Sequence, residues 1–175
     1  MSTFERPRPI TDSDDVSGFD CGQPSLNEWL FRRAVRNEQS GASRTFVTFE
    51  FGSGRVAGYY SLAAGSIEAG SASSRLRSNM PSPIPAILLG RFAIDLRYQG
   101  RGLAAALLRD AFSRAVIAGR SVGAATITVH AIDGAAAGFY AKFGFRHLPG
   151  DAHGAMYVLM SDVEASIRTL RQQSE

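Results

Sequence analysis

The segment LLGRFAIDLRYQGRGLAAALL, residues 88–108, predicts a strand, a tight glycine turn and a helix. The apolar residues at its start form an almost continuous run that ends at Arg97, which is typical of a buried strand. After the turn, apolar residues recur at the spacing of a helix. They are Leu103, Leu107, Ala111, Ala115 and Ala118. A helix is therefore expected to begin directly after the two glycines.

The glycine turn itself has the properties of an anion site. Gly100 and Gly102 stand one residue apart, and glycine both permits a sharp turn and leaves no Cβ in the way of a ligand. Successive N–H groups can therefore converge on one anion at the start of the helix, where the helix dipole adds to the attraction. Arg97 and Arg101 supply positive charge beside the turn. The turn predicts a phosphate site.

Two other nucleotide-binding motifs share the order of strand, glycine turn and helix. The P-loop requires a lysine directly after its second glycine, and the only lysine of the chain is Lys142. The dinucleotide fingerprint opens the first unit of a parallel sheet, whereas this turn follows a predicted hairpin. The P-loop is therefore excluded, and the dinucleotide fingerprint fits only loosely.

Length and composition place the chain among globular proteins. With 175 residues, 45% hydrophobic and 20% charged, it is long enough for one domain with a hydrophobic core. No apolar run approaches the ~18 residues that cross a bilayer, so we expect a single domain over residues 1–175 and no membrane partner. Cys21 is the only cysteine, and the first residues lack an apolar signal core. Together these features predict a cytoplasmic protein.

The positive charge is carried almost wholly by arginine. The net charge is +3, and every basic residue except Lys142 is an arginine. Biased codon usage is one explanation, and recognition of phosphate by guanidinium groups is the other. The positions of the arginines in the structure must decide between these two explanations.

An amphipathic helix is predicted over residues 24–39, because Pro24 suits a first turn and Gly41 suits the end. The half of the helical wheel predicted to face the core holds Leu26, Leu30, Phe31, Ala34 and Val35. The opposite half holds Trp29, Arg32, Arg33 and Arg36. This arginine-rich face with an aromatic residue predicts either contact with nucleic acid or an ordinary solvated surface.

The rest of the chain predicts further strands and helices in alternation. They are a short edge strand before residue 22, a hairpin over 44–51 and 55–67, an irregular loop over 68–85 with one short helical turn, a buried strand over 124–131, a helix over 134–143 that Asp133 caps, a strand pair over 145–148 and 155–160, and a C-terminal helix over about 161–172. The chain is therefore expected to belong to the α/β (α+β) class.

Two motifs resemble those of the GCN5-related N-acetyltransferase (GNAT) superfamily, which uses acetyl-CoA. The first motif, Gln or Arg followed by x-x-G-x-G or x-x-G-x-A, is matched by Arg97, Gly100 and Gly102. The second, an aromatic-Tyr pair followed by a glycine-aromatic turn, is matched by FYAKFGF at residues 139–145. The order of the predicted elements agrees with this resemblance.

The resemblance implies a fold and a coenzyme site. The fold is a central mixed, mostly antiparallel sheet of about six to seven strands, flanked by helices and splayed between strands four and five. Acetyl-CoA is the implied cosubstrate, and the predicted site contains no metal. The implied coenzyme contacts lie on the strand, the turn and the start of a later helix. They are Phe92, Ala93, Ile94, Arg97, Gln99, Gly100, Arg101, Gly102, Leu103, Ala104, Asp133 and Ala136.

Tyr140 matches the general acid of the family. A phenol hydroxyl within hydrogen-bond reach of the departing thiolate donates a proton or stabilises its charge. The alternative is that Tyr140 only packs, as we expect of Phe139. The general base stays open between His130 and a route through ordered water.

A narrower resemblance extends over residues 18–160. The segments GFDCGQPSLNEWL (18–30), GASRTFV (41–47), GYYSL (58–62) and LGRFAID (89–95) are similar to the acetyltransferase toxins of bacterial type II toxin-antitoxin modules. Those toxins acetylate the α-amino group of aminoacyl-tRNA and so block translation. The resemblance implies a ribbon-helix-helix antitoxin as a partner, operator DNA bound through it, and a homodimer as one expected assembly.

A tRNA substrate requires a cationic surface for its phosphates. The candidate contacts are Arg32, Arg33, Arg36, Arg75, Arg77 and Arg91. Two other functions stay open from the residues alone. One is an acetyltransferase for a free small amine or a protein N-terminus, and the other is a catalytically silent binding module with the same fold.

Overall fold

A computed structural model describes residues 3–68, 70 and 72–172 of the chain. Its strands and helices alternate in the predicted order. They are β1 (Arg8–Pro9), α1 (Pro24–Arg32), α2 (Ala34–Ser40), β2 (Arg44–Phe49), β3 (Val56–Ile67), α3 (Ser74–Arg77), β4 (Ile84–Ile94), α4 (Leu103–Val122), β5 (Thr126–His130), α5 (Gly134–Lys142), β6 (Arg146–His147), β7 (Ala155–Leu159) and α6 (Met160–Gln172).

The strands of the described residues form one seven-stranded sheet in the order β1-β2-β3-β4-β5-β7-β6. Strands β4 and β5 are parallel, whereas β1–β2, β2–β3, β5–β7 and β6–β7 pair in antiparallel fashion. The parallel ladder runs from Ala86 opposite Thr126 to Leu89 opposite Val129, and β4 continues to Ile94. The predicted fold class is confirmed: a mixed, mostly antiparallel sheet flanked by helices, with its parallel pair at strands four and five.

Contacts divide the chain into two compact units, each with a buried cluster. The first unit comprises Met1–Ala63 and Gly90–Ala111, and the second comprises Ala64–Leu89 and Phe112–Glu175. The cluster of the first unit includes Ile10, Phe19, Leu30, Val47 and Tyr59. The cluster of the second unit includes Ile67, Leu76, Ile84, Leu148 and Tyr157. That residues 1–175 act as a single domain stays a prediction.

The helix predicted over residues 24–39 is in fact two helices, so the prediction of one continuous helix is wrong. Arg33 separates α1 from α2 with a φ of −118°, far from the helical value of about −63°. Gly41 ends α2 in the left-handed conformation, as predicted, with a φ of 79°. The break interrupts the regular wheel on which the two faces of the helix were assigned.

Two side chains of α1 lie on the other face from the one predicted. Phe31, predicted in the core, is 46% exposed. Trp29, predicted beside the arginines, is half-buried and lies parallel to the ring of Tyr59, with ring centroids 5.9 Å apart. The physical reason is the large apolar area of the indole, which gains more by covering a buried tyrosine than by facing water.

The loop between β3 and β4 contains the predicted helical turn but is shorter than predicted. Helix α3 is capped by Ser73, whose hydroxyl accepts the N–H of Leu76 at 3.3 Å. Strand β4 begins at Ile84 instead of after Pro85, because Ile84 is fully buried in the second unit. The carbonyl of Pro85 accepts the N–H of Ala125, which suits a residue that has no N–H of its own.

The hairpin and the fifth helix agree with the sequence. Gly52 and Gly54 turn the β2–β3 hairpin with φ values of 78° and 69°. The carboxylate of Asp133 accepts the N–H of Ala136 at 2.8 Å and caps α5. Helix α6 begins one residue earlier than predicted and ends where it was expected.

Candidate active site

The glycine turn lies in the first unit, between a 3-10 turn at Leu96–Tyr98 and helix α4. Gly100 and Gly102 have φ values of 75° and 78°, and a Cβ built on either would meet nothing within 4 Å. The first N–H groups of a helix have no acceptor within it, so those at the start of the 20-residue α4 are available to an anion. The open turn and these N–H groups fit a pyrophosphate.

Arg97, which opens the motif, is held by a buried carboxylate. Its Nε and Nη2 donate to the two oxygens of Asp95, each at 2.8 Å, and Asp95 is 1% exposed. Asp95 also accepts the N–H of Asp20 at 3.0 Å, while Arg97 Nη2 donates to the carbonyl of Gly18 at 3.2 Å. The pair therefore connects the end of β4 to the segment before α1.

The side chain of Gln99 makes a second connection of the same kind. Its amide nitrogen donates to the carbonyls of Ile94 at 2.9 Å and Cys21 at 3.2 Å. The turn is thus fixed by side chains at two positions within the first unit. Both side chains therefore already have protein partners. The predicted contact of Arg97 and Gln99 with a coenzyme stays a prediction.

Asp95 is the residue that sequence reasoning missed here. Burial raises the pKa of Asp95, but hydrogen bonds from Arg97 and from the N–H of Asp20 outweigh burial and hold it below its ordinary value. The hydrogen bond to Asp95 in turn raises the pKa of Arg97. Both groups are therefore charged at neutral pH. The available signal was a carboxylate at the end of an apolar strand, two residues before the arginine.

The strand that precedes the turn is packed closely against β3. A Cβ built on Gly58 would lie 2.8 Å from Ile94 Cδ1 and 3.1 Å from the carbonyl oxygen of Ala93. Glycine at this position therefore lets β3 approach the end of β4. Ala93 and Ile94 are buried, and Phe92 is half-buried. Their predicted role along the pantetheine arm stays a prediction.

The other residues predicted at the coenzyme are placed as follows. The guanidinium of Arg101 lies 5.7 Å from the ring centroid of Tyr98. Leu103 is buried and Ala104 is half-buried at the start of α4. Asp133 is exposed and caps α5 through Ala136, as described above. The structure thus gives Asp133 a helix-capping role of its own.

Tyr140 lies on α5 in the second unit and is 6% exposed. Its ring makes edge contacts with Phe139 and Phe145, with centroids 5.4 Å away in each case. Burial raises the pKa of Tyr140 above its ordinary value, so the phenol keeps its proton at neutral pH. A protonated phenol suits a general acid and not a general base. His130 is exposed at the end of β5, opposite Ala155.

Four of the predicted tRNA-binding arginines belong to the first unit. Arg32 pairs with Glu28 at 3.2 Å, and both side chains are exposed. Arg33 and Arg36 are exposed and have no ion-pair partner among the described residues. The guanidinium of Arg91 lies 5.4 Å from the ring centroid of Trp29.

The other two arginines belong to the second unit. Arg75 pairs with Asp162 of α6 at 3.0 Å. Arg77 is exposed at the end of α3. All six side chains therefore reach solvent, as an RNA contact requires, and two of them already have carboxylate partners.

Two negative observations hold for the part of the chain that the structure describes. No group of three or more His, Cys, Asp or Glu side chains is arranged to hold a metal ion. No helix is both long and apolar enough to cross a membrane.

The fold and the glycine turn define a class of enzyme. A mixed sheet with one parallel pair, followed by an Arg-x-x-Gly-x-Gly turn at the start of a long helix, is the arrangement expected of a coenzyme A-dependent acetyltransferase. Residues 42–147 match the family model described as "Acetyltransferase (GNAT) domain". The chain belongs to the GNAT acetyltransferase family.

Within that family the chain is similar to toxins. It is 47% identical over 167 residues to a tRNA-acetylating toxin of Mycobacterium tuberculosis, with 95% of this chain and 99% of that protein covered. It is 30% identical to AtaT complexed with acetyl-methionyl-tRNAfMet, with a TM-score of 0.84 and coverage of 93% and 98%. It is 27% identical to a mutant of the AtaT toxin bound to the C-terminus of the antitoxin AtaR and acetyl-CoA, with a TM-score of 0.79 and coverage of 95% and 99%.

Proposed function

We propose that this protein is an acetyl-CoA-dependent N-acetyltransferase toxin that acetylates the α-amino group of aminoacyl-tRNA and so blocks translation. The observation that carries the proposal is the 47% identity to a tRNA-acetylating toxin over 95% of the chain. The AtaT complex with acetyl-methionyl-tRNAfMet supports the same substrate class. Because charged tRNA is a cytoplasmic substrate, the proposed location is the cytoplasm.

The chain's own groups bind and orient the donor. Acetyl-CoA supplies the acetyl group as an activated thioester. The N–H groups from Gln99 to Ala104 bind its pyrophosphate at the open turn, and Arg101 adds positive charge. The backbone of Phe92, Ala93 and Ile94 binds the pantetheine arm as an added strand would bind. Asp95, through Arg97, keeps the turn in its binding conformation.

Tyr140 performs the proton transfer to the leaving group. The neutral α-amine attacks the thioester carbonyl carbon, a C–N bond forms and the C–S bond breaks. Tyr140 donates its proton to the departing sulfur, the acceptor nitrogen loses a proton to solvent, and solvent returns a proton to the Tyr140 oxygen. Burial raises the pKa of Tyr140 above its ordinary value, so the phenol carries its proton at neutral pH and has it to donate to the leaving group.

The partners are proposed from the same similarity to acetyltransferase toxins. We propose a ribbon-helix-helix antitoxin as the neutralising partner, with operator DNA bound through it. The AtaT structure that contains the C-terminus of the antitoxin AtaR supports this assignment. A homodimer is proposed as the assembly.

The function is tested by incubating the purified protein with labelled acetyl-CoA and a pool of charged tRNA. Mass spectrometry of the aminoacyl-adenosine released by nuclease should show acetylation of the α-amine for one or more amino acids. The same reaction with free amino acids or with peptides in place of tRNA should show none. Label on free amines or peptides alone would identify a different acetyltransferase, and no label anywhere would identify a silent binding module.

A further inference from the structure

The second unit contains a pocket of mixed polar and apolar lining, formed by α3, β6, β7 and the start of α6. Its volume is about 130 Å³, roughly ten times the ~10–15 Å³ that one bound water requires. The side chains that matter for its chemistry are Ser73, Ser74, Arg75, Arg146, Tyr157 and Asp162. The pocket therefore admits a polar group larger than water.

The charge of the pocket comes from two arginines on separate elements. Arg146 lies on β6, is exposed, and has no ion-pair partner among the described residues. Arg75 donates to Asp162 at 3.0 Å, with side chains that are 61% and 49% exposed. Exposed ion pairs contribute little to stability, so an anion can replace Asp162 as the partner of Arg75 at small cost.

Hydroxyl groups complete a set of hydrogen-bond donors. Ser73 Oγ and the hydroxyl of Tyr157 are 3.2 Å apart, and Tyr157 is 8% exposed. Either hydroxyl can donate in this contact, so one of the two hydroxyl protons is used there and the other is available to a ligand. Guanidinium and hydroxyl donors together are the groups that phosphate oxygens accept from.

The pocket is held in place by the fold instead of being formed by a free loop. Leu76, in the same short helix as Arg75, is 1% exposed and belongs to the buried cluster of the second unit. Arg146 and Tyr157 are opposite each other in the β6–β7 ladder. The backbone positions that carry these donors are therefore fixed by the fold before any ligand binds.

The pocket also adjoins the turn that follows the helix of Tyr140. Gly144 lines the pocket and lies two residues after the end of α5. The next residue, Phe145, contacts the ring of Tyr140, with centroids 5.4 Å apart. Gly144 and Phe145 thus connect the pocket to the proposed general acid.

We propose that this pocket binds one phosphodiester of the RNA substrate, with Arg146 and Arg75 as its charged contacts. The inference rests on the proposed function, which supplies an RNA acceptor. Arg146 is absent from the contacts predicted from sequence, because one arginine in a two-residue strand forms no pattern. Asp162 competes with the phosphate for Arg75, so its removal strengthens RNA binding.

The first test measures the binding of a deacylated tRNA across a series of salt concentrations, without acetyl-CoA. Arg146→Glu should bind roughly tenfold more weakly at low salt, and its slope of log K against log salt should fall by about one. The matched control is Arg109→Glu, an exposed arginine of α4 with the same change of charge. The control should retain the wild-type slope.

The second test reverses the direction of the effect. Asp162→Asn frees Arg75 and should bind the same tRNA about threefold to tenfold more tightly. Glu164→Gln is the control, because Glu164 lies on the same helix and pairs with Arg120 at 3.3 Å outside the pocket. The affinity of Glu164→Gln for the same tRNA should change much less than that of Asp162→Asn. This pair keeps the inference testable even where Arg146→Glu folds poorly.

The remaining outcomes separate the inference from the proposed function. Equal losses in Arg146→Glu and Arg109→Glu overturn the pocket and leave the function standing. Loss of acetyl-CoA affinity with unchanged tRNA affinity assigns the pocket to the coenzyme phosphates and overturns the inference. Loss of binding to a poly-glutamate peptide alone assigns it to an acidic protein partner, with the same consequence. A wild-type protein that acetylates charged tRNA but binds no deacylated tRNA overturns the inference and leaves the function standing, whereas one that does neither refutes both proposals.

Discussion

Arg97 and Asp95 form a bidentate ion pair, with both N–O distances at 2.8 Å, beside the glycine turn. Asp95 also accepts the N–H of Asp20, so one buried carboxylate fixes the turn and the segment before α1. We expect Asp95→Asn to lower the free energy of unfolding by about 2 kcal/mol, since a buried charged acceptor is lost. We also expect a severalfold higher KM for acetyl-CoA with a smaller change in kcat, measured by steady-state kinetics.

The matched control for this variant is Asp14→Asn. Arg8 and Asp14 form a similar bidentate pair, at 2.7 and 3.0 Å, near the N-terminus of the chain. Its loss should lower stability without raising the KM for acetyl-CoA. Equal changes of KM in the two variants would show that Asp95 acts only on stability and does not position the turn.

The same ion pair predicts a dependence of stability on pH. Despite burial, hydrogen bonds hold the pKa of Asp95 in the folded protein below its ordinary value of 3.8. Its contribution is therefore fully present above that value and is lost as pH falls through the lower folded pKa. Urea unfolding should show wild type and Asp95→Asn converging in stability below about pH 4. A constant difference down to pH 2 would contradict the ionised pair.

Tyr140→Phe tests the general acid. Removing the hydroxyl should lower kcat by about a hundredfold, with little change in the KM for either substrate, because the proton is needed only in the transition state. Tyr59→Phe is the control, since it removes another buried hydroxyl, which donates to the carbonyl of Leu26 at 2.6 Å. The control should lose stability but keep kcat.

The pH profile of the wild-type enzyme adds a second readout for Tyr140. We expect kcat/KM to rise as the acceptor amine loses its proton near pH ~8. Burial raises the pKa of the phenol above its ordinary value of 10.0, so the phenol stays protonated over this range. No fall from ionisation of the phenol should follow between pH 8 and 10. A descending limb in that range that disappears in Tyr140→Phe would place the pKa of the phenol lower than burial implies.

Several local features of the fold could be predicted from sequence because their signals are local. The glycines of the turn, the cap at Asp133 and the β2–β3 hairpin each depend on a few consecutive residues, and all three are found as predicted. The contact of Asp95 with Asp20 and the pocket around Arg146 instead join residues far apart in the chain. Contacts between residues that are distant in sequence leave no periodic pattern of apolar residues, so the structure was needed to find them.

The errors have a related cause. The wheel that placed Phe31 inward and Trp29 outward also used Ala34 and Val35, which lie beyond the break at Arg33 and so do not define the buried face of α1. A sequence without proline or glycine at the break gives no local warning of it. The exposure of Phe31 and the stacking of Trp29 on Tyr59 are therefore tertiary outcomes.

The exposed arginines of α1 and α2 predict an RNA-docking face in the first unit. Replacing Arg32, Arg33 and Arg36 together with Glu should abolish acetylation of charged tRNA, since reversed charge repels the phosphates. The affinity for acetyl-CoA, measured by calorimetry, should be unchanged. The control replaces three other exposed arginines with Glu, namely Arg6, Arg55 and Arg109. Equal losses in the two triple variants would attribute the effect to net charge and not to this face.

Substitution of Gly100 by alanine distinguishes loss of the pyrophosphate site from the effect of backbone strain. Its φ of 75° is strained for alanine, at a cost of about 1 kcal/mol, although a Cβ would meet no protein atom within 4 Å. Gly52 in the β2–β3 hairpin has a φ of 78° and equally open surroundings. Gly100→Ala and Gly52→Ala should therefore lose similar stability in thermal unfolding.

Only Gly100→Ala should also lose affinity for acetyl-CoA, by about tenfold, because its Cβ occupies the space that the pyrophosphate needs. Gly102→Ala is informative beside it, since the family pattern accepts alanine at that position, and it should retain most of the affinity. Calorimetric titration of all three variants with acetyl-CoA measures these differences. If Gly52→Ala weakened binding as much as Gly100→Ala, backbone strain alone would account for the loss and the turn would not be the pyrophosphate site.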